Sequence, residues 1–160
     1  MIDRRRAFRL VLAALGAASL APAARAQQSF ERFIPLLIDL PGWEGPPPAG
    51  TVEERAGGSV ITAARGYSRG EARFYASVMS GISLAASESS TNFTFFGACE
   101  NASTIDGFQI MTLRTAVFVS ISVTLGPDAK FGLLFNNVSP DEAMMLARKF
   151  DWKAMQALIN

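Results

Sequence analysis

Arg65, Tyr67, Arg73 and Tyr75 are the residues whose types and spacing come nearest to a site. Residues 60–67 and 72–79 alternate as two β-strands, and Ser68-Arg69-Gly70-Glu71 supplies a turn in which Gly70 is free to take positive φ. Within each strand the arginine and the tyrosine lie two residues apart and so share a face. If the sheet brings the two pairs together, they offer two guanidinium groups and two ring faces to an anionic or aromatic ligand. The competing account is an ordinary solvent-facing strand surface, where charged and aromatic residues are common.

The other reactive groups are better explained by structure. No histidine occurs anywhere. That excludes a Ser-His-Asp or Cys-His apparatus built from this chain, histidine-ligated zinc or copper, and histidine-ligated haem. Cys99 is the sole cysteine, so no intrachain disulfide can form, and it is expected to be buried as a small hydrophobe. Glu53 and Glu54 are adjacent, which sends them to opposite faces of a strand and prevents a carboxylate pair. Asp141 and Glu142 fit a helix first turn. Glu100, Asn101 and Asp106 offer oxygen ligands without the alternating spacing of a calcium loop. Three Asn-x-Ser/Thr sequons, at Asn92, Asn101 and Asn137, match a pattern that also arises by chance. No catalytic residue, cofactor site or metal site is expected.

The elements that must position these groups begin with a helix over residues 27–38, with Ser29 as N-cap and an interruption at Pro35. Leu40-Pro41-Gly42-Trp43 turns the chain, and Gly45-Pro46-Pro47-Pro48-Ala49-Gly50 is a stiff connector. After the hairpin, residues 81–88 form a short helix or an irregular crossing, ahead of the aromatic segment Phe93, Phe95 and Phe96. Residues 108–113 and 116–125 read as strands, the second with Val117, Val119, Ile121 and Val123 inward. Gly126-Pro127-Asp128 turns it into a strand over 130–135. The last helix starts at Ser139 as N-cap, with Pro140 at its first position and Glu142 completing a capping box. Its apolar stripe is Ala143, Leu146, Ala147 and Phe150, and a final turn carries Trp152. Trp43 and Trp152 are candidates to pack together. The expected fold is one α+β domain over residues 27–160: an antiparallel sheet of about five to six strands flanked by an N-terminal helix and a C-terminal helix. A helix closing in Leu40-Pro41-Gly42-Trp43, a meander, and an ending Ser139-Pro140-Asp141-Glu142…Phe150-Asp151-Trp152 resembles small exported proteins of the PsbP/Mog1-like fold group. That resemblance implies a sheet between helices and an accessory or binding role, with no catalytic residues to carry over.

Residues 1–26 read as an export leader. Arg4, Arg5, Arg6 and Arg9 form a basic start, an uncharged apolar run of about 15 residues follows, and Ala24-Arg25-Ala26 places small residues where a signal peptidase cuts, before Gln27. Arg5-Arg6-Ala7-Phe8 resembles the twin-arginine motif, although Arg9 stands where a further apolar residue is preferred; a general secretory leader is the alternative route. The run is shorter than the roughly 20 residues a spanning helix needs, so no stable membrane anchor is expected after cleavage. The chain has 15 basic and 14 acidic residues, and the leader takes five arginines and Asp3. The remainder, with 10 basic against 13 acidic residues, has no electrostatic reason to seek nucleic acid. The expectation is a periplasmic accessory or binding module for a protein or small anionic ligand. The alternatives are a histidine-independent carboxylate-based hydrolase and a structural subunit of a periplasmic complex. Oligomeric state is left open.

Overall fold

The computed structural model describes residues 30–55, 58–81 and 100–159. The leader with its cleavage residues Ala24, Ala26 and Gln27, the cap Ser29, the Phe93-Phe95-Phe96 segment and Cys99 lie outside the described residues. Seven strands form one antiparallel sheet: β1 (Ala49–Arg55), β2 (Gly58–Arg69), β3 (Ala72–Gly81), β4 (Asn101–Ile105), β5 (Phe108–Arg114), β6 (Val119–Gly126) and β7 (Ala129–Asn136). Their order is β1-β2-β3-β7-β6-β5-β4. Two meanders, β1 to β3 and β4 to β7, are therefore joined edge to edge where β3 pairs with β7. Two short helices follow, α1 (Pro140–Ala147) and α2 (Trp152–Ala157).

This corrects the expected α+β arrangement of five to six strands between an N-terminal and a C-terminal helix. The described part of the N-terminal segment holds no α-helix longer than a turn; its regular piece is a three-residue 3₁₀ turn at Ile34–Leu36, with Pro35 inside it. Proline contributes no N–H, and the carbonyls that would continue a helix are taken by side chains of β2: Leu37 O accepts from Arg65 and Ile38 O from Tyr67. Apolar spacing in this segment reflects one-sided packing on the sheet, with Phe33, Leu37, Leu40 and Trp43 buried. The extra strands are β1 and β4. β1 pairs with β2 along its whole length, from Ala49 opposite Ala64 to Arg55 opposite Gly58. β4 and β5 are joined by Asp106 and Gly107, both at positive φ (51° and 86°), the two-residue turn that Asp-Gly favours. The terminal helix is two pieces: α1 ends at Ala147, and Asp151 restarts the chain by accepting the Ala154 N–H at 2.9 Å.

The core lies on the sheet face covered by the N-terminal segment, α1 and α2. Each of the five inner strands contributes to it: Ala63 and Tyr67, Phe74, Ala76 and Val78, Phe131, Leu133 and Phe135, Ile121, Val123 and Leu125, and Ile110. Aromatic rings form its spine. Tyr67 stacks on Phe74 at 4.3 Å, Phe74 on Phe135 at 4.9 Å, and Phe150 packs on Phe131 at 5.0 Å. Trp43 meets Phe74 and Trp152 meets Phe108, so the two tryptophans pack on different rings. Val117 is 70% exposed ahead of β6, and Leu125 takes the inward place at that strand's other end. On the opposite face Val60, Met79, Ser120 and Ser122 are also buried, so that face opens only in part.

Candidate functional site

The register of β2 on β3 decides what the four expected residues can do. Tyr67 stands opposite Phe74 and Arg65 opposite Ala76, whereas Tyr75 stands opposite Gly66 and Arg73 opposite Ser68. Residues directly opposite one another point to the same face. Arg65 and Tyr67 therefore face the core side, and Arg73 and Tyr75 face the other side. The sheet brings each pair together and keeps the two pairs apart.

Arg65 and Tyr67 hold the N-terminal segment down. The Arg65 guanidinium donates to Leu37 O at 3.0 Å and pairs with Asp39, and it sits 5.1 Å from the Tyr67 ring centroid. Its Nε is buried and has no partner among the described residues. The Tyr67 hydroxyl donates to Ile38 O at 2.8 Å. Burial pushes the Tyr67 phenol up to about 12; the Arg65 charge opposes that shift and Asp39 adds to it. Neighbouring Arg69 is likewise occupied, pairing with Glu142 at 2.6 Å while its guanidinium lies 4.5 Å from the Trp43 ring centroid. Glu142 thus reaches across to β2, and the α1 cap consists of the Glu142 N–H donating to Ser139 Oγ at 3.3 Å.

Arg73 and Tyr75 are uncommitted. Among the described residues neither side chain has a hydrogen bond, ion pair or ring contact, and Tyr75 is 59% exposed. Tyr75 nevertheless has a support. A Cβ at Gly66 would sit 3.2 Å from Tyr75 Cε1 and 3.5 Å from Cδ1, so one edge of the ring covers the bare glycine backbone across the strand pair. Around the pair lies an open hollow of about 660 Å³ lined by Gly70, Glu71, Arg73, Tyr75, Asn136 and Asn137. Asn136 stands directly opposite Arg73 on β7. Asn137, at φ 55°, donates from its side chain to Glu71 O at 3.2 Å, tying the end of β7 to the β2–β3 turn. Glu71, Asn136 and Asn137 were missed as site residues. Glu71 comes from the β2–β3 turn beside Arg73, whereas Asn136 and Asn137 join through the β3–β7 pairing, which links residues about 60 apart in sequence and leaves no local signal.

Among the described residues the remaining acidic groups do not assemble into a second centre. Glu53 pairs with Arg55 at 2.8 Å, and Glu54 points to the other face of β1. Glu100 and Asp106 are held at the two ends of β4, about 16–20 Å apart by strand rise. Glu100 accepts the Arg114 N–H at 3.2 Å. Among the described residues no group of three or more metal-ligating side chains converges. A smaller cleft of about 200 Å³ runs between the β4–β5 turn and the α1–α2 connection, with Asp106 and Asp151 both in its lining. Asp151 is already engaged as the α2 cap. No protein-family model, curated protein or solved structure matches this chain.

Proposed function

We propose that this chain is an exported periplasmic binding or accessory module, and that its contact surface is the open hollow around Arg73 and Tyr75. The observation that carries the reading is the contrast among the arginines of the first meander. Arg55, Arg65 and Arg69 each hold a carboxylate, while Arg73 has no partner among the described residues and stands beside an aromatic ring that is seated and exposed. A guanidinium and a ring presented on a rigid strand suit recognition of a partner. Bond cleavage by carboxylates needs two of them flanking the reacting bond, and Glu71 is the one carboxylate in the lining of this hollow. The periplasmic address rests on the basic start, short apolar run and Ala24-Arg25-Ala26 site.

Capture from a native periplasmic extract tests the surface. The wild-type protein should retain a component that an Arg73→Ala/Tyr75→Ala double variant loses, with unchanged circular dichroism. Loss of that capture as salt is raised marks a charged partner, and its persistence marks a neutral one. Undiminished capture by the folded double variant overturns the assignment. For the address, intact mass of the exported protein should begin at Gln27; a dominant full-length cytoplasmic species would refute export.

A further inference from the structure

We infer that the hollow takes a neutral polyhydroxylated ring, a saccharide unit, stacked on Tyr75. This rests on reading the face as a binding surface and names the ligand class for it. The lining is electrically balanced: Arg73 contributes one positive charge and Glu71 one negative. A simple anion drawn to Arg73 meets Glu71 in the same hollow, which offsets the attraction. A hydroxyl both donates and accepts, and so does the set of groups present: guanidinium donors on Arg73, carboxylate acceptors on Glu71, and amides that do both on Asn136 and Asn137. The Asn137 amide already spends a donor on Glu71 O, which fixes its orientation and leaves its oxygen as an acceptor. Tyr75 provides the remaining element, a ring with one edge set on Gly66 and most of its surface in solvent. The C–H face of a pyranose fits such a ring, with its equatorial hydroxyls directed at the polar rim. The hollow is broad and open, which suits one or two units of a chain passing along the surface more than a small molecule enclosed on all sides.

The experiment titrates the protein with chitotetraose, maltotetraose and inorganic phosphate by isothermal calorimetry and saturation-transfer NMR. The expected result is binding of an oligosaccharide that persists at high salt and outcompetes phosphate. Tyr75→Ala should weaken it by roughly two- to twelvefold, the worth of a ring face. Tyr75→Phe keeps the ring over Gly66 and should retain most of the binding, so a loss in Tyr75→Ala cannot be assigned to a disturbed strand alone. Asn136→Ala should weaken binding without changing the melting temperature. No oligosaccharide binding, or binding equal in Tyr75→Ala, overturns the inference. Phosphate binding that depends on Arg73 without sugar binding also overturns it, while leaving the hollow a binding surface of another class. If, in addition, the double variant captures partners as well as wild type does, the binding reading itself fails.

Discussion

Arg65-Gly66-Tyr67 and Arg73-Phe74-Tyr75 are the same pattern on adjacent strands, and they have opposite fates. The first pair lies under the N-terminal segment, where the terminal guanidinium nitrogens of Arg65 hold Leu37 O and Asp39 and the Tyr67 hydroxyl holds Ile38 O. The second stands over an open hollow and has no hydrogen-bond or ion-pair partner among the described residues. Residue type did not decide this; the hairpin parity did. Arg69 pairs with Ala72 across a two-residue turn, so odd-numbered residues of β2 share a face with even-numbered residues of β3. Arg and Tyr at odd positions on both strands must therefore split between the faces. The core side was claimed by Ala63, Phe74 and Val78, and whichever pair shared their face had to become structural.

The largest effect that tests this contrast is on Tyr67. Tyr67→Ala removes a ring stacked on Phe74 and should destabilise the domain by about 3–5 kcal/mol in denaturant titration. Arg65→Ala should follow at about 2 kcal/mol, because Leu37 O loses its donor in a partly buried setting. A cost below that of an ordinary surface substitution at either position would erase the distinction between the two pairs.

The same pair predicts an alkaline transition. The Tyr67 phenol has a folded pKa of about 12 against an ordinary 10.0, so the folded state holds this proton more tightly than the unfolded chain. Its contribution is fully present below pH 10 and is lost as pH rises through 12, amounting to at most about 2–3 kcal/mol. Stability measured across that window should fall more steeply in the wild type than in Tyr67→Phe. Equal slopes would show that Tyr67 does not carry the difference.

Smaller effects sharpen the comparison. Ser139→Ala should cost about 1 kcal/mol, since one N-cap bond holds the start of the helix that covers the core face. Arg73→Ala should change stability by less than about 0.5 kcal/mol, as expected for an exposed side chain with no partner among the described residues. A destabilisation at Arg73 as large as at Arg65 would mean that both pairs are structural and would remove the candidate surface.

The sequence carried more of this outcome than the expected four-residue patch used. A turn at Ser68-Arg69-Gly70-Glu71 has an even-length loop, and any such hairpin sends Arg65 and Arg73 to opposite faces. The Asp106-Gly107 turn was likewise legible as a hairpin signal, although the uncharged stretch before it lacks the apolar alternation of a half-buried strand: four of its five residues are exposed on an edge. β1 was hidden for the opposite reason, since Glu53, Glu54 and Arg55 look like a solvated loop but occupy an edge where charge is tolerated.

By itself, the sequence determined the alternation of β2, β3 and β6, the Gly70 and Gly126-Pro127-Asp128 turns, the Ser139 cap, and the absence of any histidine-based chemistry. These are local properties, set by side-chain period, backbone φ and residue type. The tertiary structure alone decided the β3–β7 seam that brings Asn136 and Asn137 to Glu71, Arg73 and Tyr75, and the replacement of the expected helix by a 3₁₀ turn over Ile34–Leu36. Both depend on contacts between distant segments: a strand pairing across about 60 residues in one case, and Arg65 and Tyr67 taking the carbonyls of Leu37 and Ile38 in the other. A one-dimensional pattern records what each residue prefers, and it does not record which distant backbone will stand beside it to satisfy or displace that preference.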